Sequence, residues 1–258
     1  MIIGFYILMF VLGAAFGSFL CCQARRLRLH EKGKKSLGRF SVCMHCKKPL
    51  KWYENIPLFS WLIQRGKCTK CKTKIGWAEF LSELGVAAAF LVFSTSFDPF
   101  SATALMWGAF ISTLALILVL CFLAIYDGLY GELPSLCLTF AIICAIVVLC
   151  LKSWGAFSPL DTLYSALILG GLYLVLYLVS SGKWVGNGDW LLGLAIGIAL
   201  SSPWLALIVL FLSNVLACVI MFPAIKKSKN HKIYFGPFLV IAYIIAVSFS
   251  GLLESMVL

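Results

Sequence analysis

The chain has 258 residues, 62% of them hydrophobic and 12% charged, with a mean hydropathy of +1.01 and a formal net charge of +11. That balance excludes a soluble domain around one large core and predicts an all-α polytopic membrane protein. The charge does not point to nucleic acid: 15 of the 21 Lys and Arg crowd between Arg25 and Lys74 without any nucleic-acid fold pattern, so membrane lipid is the expected partner of that segment.

The opening run, MIIGFYILMFVLGAAFGSFLCC, has no basic n-region and is long enough to span, so residues 1–22 read as a retained first transmembrane helix. Residues 23–78 form the basic segment, which the positive-inside rule assigns to the cytoplasm. Within it, CMHC (43–46) and CTKC (68–71) are two C-x2-C knuckles separated by 21 residues. Each knuckle offers two thiolates from one tight turn, and cationic neighbours favour deprotonated sulfur, so Cys43, Cys46, Cys68 and Cys71 predict one structural zinc. Two disulfides are the competing reading, disfavoured in a reducing compartment, and a redox pair has no thioredoxin-like context. The other seven of the 11 cysteines lie in apolar runs and read as small packing residues.

Apolar runs at 79–97, 103–126, 133–151, 162–181, 190–202, 203–223 and 234–254 bring the number of candidate spans to about eight, so residues 79–258 read as a seven-helix membrane domain. The stretch from Trp190 to Pro223 is too long for one span and tight for two, with SSP (201–203) as its only plausible turn. Lys183 precedes it and Lys226, Lys227, Lys229 and Lys232 follow it, which asks for two crossings if both flanks are cytoplasmic. Alternation from the basic segment then puts 20 of 21 basic residues inside, Lys152 being the exception.

Of the ten acidic residues, Glu31, Glu54, Asp98, Glu132, Asp161 and Glu254 read as loop, rim or terminal groups. Glu79 and Glu83 open a span, where negative charge complements a helix N-terminus. Asp127 and Asp189 differ, because Asp127 closes an apolar run and Asp189 opens one after GNG, both at the cytoplasmic end. Taken singly, either is readily a helix cap. Taken together, they are a candidate carboxylate pair in which one group keeps a proton while the other stays a base, the requirement for activating water against a peptide bond. Gly186 and Gly188 then have a purpose: close backbone approach and positive φ beside Asp189. A phosphate loop is excluded, since no G-x-G-x-x-G or P-loop lysine follows.

These residues resemble the type IV prepilin leader peptidases, of the GxGD class of intramembrane aspartyl proteases. GNGD (186–189) resembles the second aspartate motif of the family, and YDGLYGELP resembles the first, with Asp127 seven residues before Pro134. GSFL (17–20), the run from CMHC through WYENIPLFSWLIQRGKC to CTKC, Glu83 twelve residues after Cys71, and FGPFL (235–239) also match, nearly the whole chain in order. The pattern is most similar to the branch serving competence pseudopili. Trp190, Leu191 and Leu192 stand where a lysine is common, Cys21 where an asparagine is expected, and Glu79 and Phe80 where a Tyr-Pro pair is usual.

The resemblance implies a multi-pass enzyme of the bacterial inner membrane that removes the short basic leader of prepilins or pseudopilins on the cytoplasmic side, with Asp127 and Asp189 catalytic. Many members also methylate the new N-terminus with S-adenosylmethionine, and Glu83 is the one matched residue to associate with that step. Two other readings compete. A non-enzymatic zinc-loop scaffold of a secretion or competence machine accounts for the cysteines but not the paired aspartates. A proton or cation transporter needs more polar residues at membrane depth than the spans offer.

Overall fold

The computed structural model describes residues 2–33, 41–43, 45–152, 158–182, 185–227 and 234–255. Lys183, Lys229 and Lys232, used above to set topology, lie outside the described residues. Helices dominate, and the described residues form no strand, only isolated antiparallel bridges at Val42–Pro49 and Lys67–Lys74. The chain divides into two compact units, Met1–Leu91 and Val92–Leu258.

In the first unit, helix α1 (Ile2–Glu31) continues well past the expected span, ending in a turn with basic Arg28 and His30. Cations suit that end, where the helix dipole is negative. Gly13 and Gly17 form a G-x-x-x-G pair on the face of α1 that meets α3 (Trp77–Ser94). A Cβ at Gly13 would lie 2.7 Å from the Val86 carbonyl oxygen, and one at Gly17 would lie 2.5 Å from that of Ser82. The two backbones therefore touch, the packing that small residues permit between membrane helices. Ala14, Ala87 and Leu58 fill the seam, with Phe10 and Phe80 beside them. A 3₁₀ turn at Trp52–Asn55 and the short helix α2 (Phe59–Ile63) complete the connecting segment.

The second unit begins with the end of α3 and continues through α4 (Ala104–Tyr130), α5 (Ser135–Lys152), α6 (Pro159–Ala166), α7 (Leu172–Ser180), α8 (Asp189–Leu200), α9 (Pro203–Lys227), α10 (Gly236–Ser248) and α11 (Ser250–Ser255). A π turn at Leu167–Gly171 joins α6 to α7, so that Pro159–Ser180 is one continuous apolar helix. Thr103 starts α4 by accepting a hydrogen bond from the Met106 N–H. Gly131 ends it with φ 68, its N–H donated to the carbonyl of Asp127. The SSP turn forms as the sequence suggests: Ser201 is left-handed and Pro203 opens α9 at the position where its missing N–H costs nothing.

Among the described residues, six helices are long and apolar enough to cross a membrane. The remaining two of the eight expected segments form α8, with 12 residues, and α10, with 13, continued after a break at Phe249 by α11. Both are largely buried in protein. Helix α10 packs on α4, α8 and α9, and α5 packs on both α4 and α8. Glycine makes this closeness possible: a Cβ at Gly193 or Gly197 of α8 would collide with the backbone of Leu169 or Ala166.

Candidate active site

The two knuckles adopt the same turn. Cys43 N–H donates to the Lys48 carbonyl and Lys47 N–H to that of Cys43; Cys68 N–H donates to Thr73 and Lys72 N–H to Cys68. Lys47 and Lys72 each follow a C-x2-C pair and each is left-handed. The four sulfur atoms lie within 4.8 Å of one another, and Cys43 Sγ is 3.8 Å from Cys71 Sγ. Tetrahedral zinc with Zn–S near 2.3 Å requires sulfurs about 3.8 Å apart, so the donor set fits that ion. The Thr73 hydroxyl beside Cys71 holds that thiol down to about 5, favouring the thiolate.

Glu54, expected to be a loop acid, is buried and joins the knuckles. Its carboxylate accepts hydrogen bonds from Lys48 Nζ at 2.8 Å, from the Thr69 hydroxyl and from the Lys51 N–H at 2.9 Å. These donors, Lys48 first, lower its pKa to about 2. The stabilisation is therefore complete above the range where a free glutamate titrates, about 4.3, and fades as pH falls toward 2. Replacing Glu54 with Gln at neutral pH should speed zinc extraction by a chelator about tenfold, read as the rate of metal release. An unchanged rate would leave Glu54 no bracing role.

In the second unit, Asp127 lies in the last turn of α4 and Asp189 is the first residue of α8. Both are buried, 6% and 8% exposed, with no ion pair among the described residues. They lie within electrostatic range of each other. Each carboxylate accepts one glycine N–H: Gly186 donates to Asp189 Oδ2 at 2.8 Å, and Gly236 donates to Asp127 Oδ2 at 3.0 Å. The Asp189 contact is local and cap-like, closing the GNGD turn, while Asn187 Oδ1 accepts from Trp190 Nε1. Asp127 is not a cap. It occupies a helix C-terminus, where the dipole disfavours an anion, and its donor comes from 109 residues away.

The glycines behave differently from expectation in one respect. Neither Gly186 nor Gly188 takes positive φ; Gly188 has φ −83. Their use is space. A Cβ on Gly188 would lie 2.5 Å from Leu133 Cβ, so this glycine lets the start of α8 press against the YDGLYGELP turn. A Cβ on Gly186 would lie 3.1 Å from Asp189 Oδ2. Gly236, within the FGPFL stretch, is a site residue that the sequence does not single out; a Cβ there would lie 2.8 Å from Asp127 Oδ2.

Fold and site together define a helical membrane protein with a cysteine-knuckle segment in one unit and a buried aspartate pair in the other. Residues 11–97 match the model of the bacterial peptidase A24 N-terminal domain. The chain is 33% identical to the prepilin leader peptidase/N-methyltransferase of Aeromonas salmonicida (strain A449) over 216 residues, covering 80% of this chain and 70% of the relative. It is 30% identical to the one of Bacillus subtilis (strain 168) over 206 residues, 77% of this chain and 75% of that protein. To that of Stutzerimonas stutzeri it is 29% identical over 215 residues, 78% and 69% of the two chains. The chain belongs to the prepilin leader peptidase/N-methyltransferase family. No solved structure matches it.

Proposed function

We propose that the protein is an aspartyl endopeptidase that removes the basic leader of type IV prepilins or pseudopilins at the cytoplasmic face of the bacterial inner membrane. The observation that carries this reading is Asp127: a buried carboxylate at the wrong end of a helix for capping, held by a remote glycine N–H and within electrostatic range of Asp189. The relatives' name supplies the substrate class. The competence pseudopilins enter on motif resemblance alone.

In this reading one aspartate, ionised, takes a proton from water as the oxygen attacks the scissile carbonyl carbon. The other, protonated, gives its proton to the carbonyl oxygen. Collapse of the tetrahedral species breaks the C–N bond and protonates the leaving amine, returning the pair to its starting charge. The glycine N–H groups fix both carboxylates without adding a competing cation. Gly236→Ala keeps the N–H but adds a Cβ 2.8 Å from Asp127 Oδ2, so it should push the carboxylate off this donor and lower cleavage about 10- to 100-fold, with little loss of folded protein. Initial rates on a prepilin in detergent measure it, and an unchanged rate would free Asp127 of this contact.

The same reading includes N-methylation of the new N-terminus with S-adenosylmethionine as donor. The first unit holds a cavity of about 320 Å³ lined by Arg25, Trp61, Gln64, Gly76, Glu79 and Glu83, among others. Glu83 is 7% exposed and one oxygen accepts the Leu58 N–H at 2.7 Å. Glu79 pairs through Oε1 with Arg25, while Glu79 Oε2 and Trp61 Nε1 are buried without a hydrogen-bond partner, so the cavity keeps one acceptor and one donor for a polar nucleoside ligand. Bound there, the donor would supply an electrophilic methyl group, and Glu83 would hold the incoming amine. Incubating the purified protein with a prepilin, with and without the donor, and weighing the products tests both activities. Leader loss without donor, and one added methyl with it, are expected; an intact substrate would overturn the reading.

A further inference from the structure

Between the two knuckles the chain runs NIPLFSWLIQ (55–64) without a charge, with Lys48 and Lys51 before it and Arg65 and Lys67 after it. Glu54, just ahead of this stretch, is turned into the knuckle contacts described above. Phe59 is 66% exposed and Ile63 80%, and Ile56 and Leu62 are exposed as well. Apolar groups gathered in this way on a surface mark a place of interaction.

Several contacts fix the level of this stretch along α1 and α3. Both helices are long and apolar enough to cross a membrane, and the ion pair between Arg25 and Glu79 marks where their charged ends stand. Leu58 N–H donates to Glu83 Oε2 at 2.7 Å, one turn inside that pair. The Leu58 side chain goes deeper still. It packs with Ala14 and Ala87, and Ala87 lies about two turns, roughly 12 Å, beyond Glu79 on α3. Trp61 packs against Trp77 and Phe80, with ring centroids 4.7 and 4.8 Å away, and Pro57 lines a small recess together with Ala15 and Ser18 of α1. The loop therefore descends from the knuckles, reverses at Leu58 and climbs back, all beside the two apolar helices.

Hydrocarbon admits such a loop only where its backbone polar groups are met within the protein. Leu58 has φ 63 and ψ −53, a tight reversal closed by Phe59 N–H donating to the Pro57 carbonyl at 2.7 Å. Ser60 N–H donates to Ile56, Leu62 to Leu58, Gln64 to Ser60 and Gly66 to Trp61, while Pro57 has no N–H to satisfy. At the reversal itself, Glu83 supplies the acceptor that the loop lacks. Leu81 and Leu84, between Glu79 and Ala87 on α3, are exposed as Phe59 and Leu62 are, so loop and span show apolar surface at one level. Nearer the knuckles, Trp52 and Tyr53 are exposed and Lys51 Nζ stands 5.7 Å over the Tyr53 ring, the aromatic and cationic composition of a membrane–water interface.

We propose that residues 56–63 form a re-entrant segment whose outer face, Ile56, Phe59, Leu62 and Ile63, is covered by lipid acyl chains of the leaflet on the knuckle side. Lys51, Arg65 and Lys67, at the two ends of the segment, meet anionic headgroups. The knuckles are thereby moored to the bilayer instead of standing free in water. This inference rests on α1 and α3 crossing the membrane and is independent of the peptidase reading.

A photoreactive p-benzoylphenylalanine in place of Phe59, or of Ile63, tests it in the full-length protein reconstituted into vesicles of phosphatidylethanolamine and phosphatidylglycerol. Both side chains are exposed, so the probe needs no repacking, and monodispersity before reconstitution checks the fold. On illumination, mass spectrometry should find lipid joined through acyl-chain carbons, in yields within about twofold of the same probe at Leu81 and about tenfold above the probe at Lys70, an exposed residue of the second knuckle. Yields at Phe59 and Ile63 no higher than at Lys70 would overturn the proposal. So would adducts to protein in place of lipid, whether to this chain, to a second copy or to a co-reconstituted prepilin.

Discussion

Asp127→Asn and Asp189→Asn should each lower prepilin cleavage by on the order of 10⁴-fold, and the double variant should be scarcely worse than either. Non-additivity is the informative part. A pair sharing one proton fails as a unit, whereas two independent helix-end carboxylates would give losses that multiply. The fold has good reason to survive, because the amide oxygen introduced by either substitution can still accept the glycine N–H that the carboxylate accepted, from Gly236 in the first variant and from Gly186 in the second. Zinc content and monodispersity check this before any rate is read. Substantial cleavage by either well-folded single variant would reduce Asp189 to a cap of the GNGD turn.

The second large effect concerns the metal. A Cys43→Ser, Cys68→Ser double variant removes one thiolate from each knuckle and leaves two donors, too few to close a tetrahedral shell. Zinc should drop from one ion per chain to nearly none, and folded yield should drop with it, since structural zinc is worth on the order of 10 kcal/mol to the segment it closes. The two knuckles are otherwise joined by the hydrogen bond from Lys48 to Thr69 and by Glu54, which accepts from both, a linkage too small to replace four metal bonds. Metal analysis and limited proteolysis between residues 43 and 71 report both losses. Full zinc in the double variant would mean that the cysteines are not the ligands.

Much of this was legible in the sequence because it is local. The knuckles announce themselves by spacing, the helix ends at Asp127 and Asp189 by where the apolar runs stop, and the α8–α9 turn by Ser-Ser-Pro. Other features depend on contacts that no local pattern encodes. Gly236 becomes part of the Asp127 environment only when α10 packs on α4, across 109 residues of chain. Glu54 looks like one more solvated acid until the two knuckles close over it. The role of Gly188 was legible in kind but not in mechanism, since closeness to Leu133 rather than positive φ is what the site requires.

Helix α8 is short for a helix in a membrane bundle. Its 12 residues rise about 18 Å, little more than half of a hydrocarbon layer about 30 Å thick, and Asp189 stands at one end with the tight Ser201 turn at the other. Both ends cannot reach water across an undeformed bilayer. Since α8 exposes no residue, the longer helices around it carry the bundle across the layer, and its ends stop at membrane depth inside protein, the setting in which broken helices are tolerated. Under the peptidase reading proposed above, a polar path through the protein, not the thickness of the bilayer, would then have to bring water to Asp189.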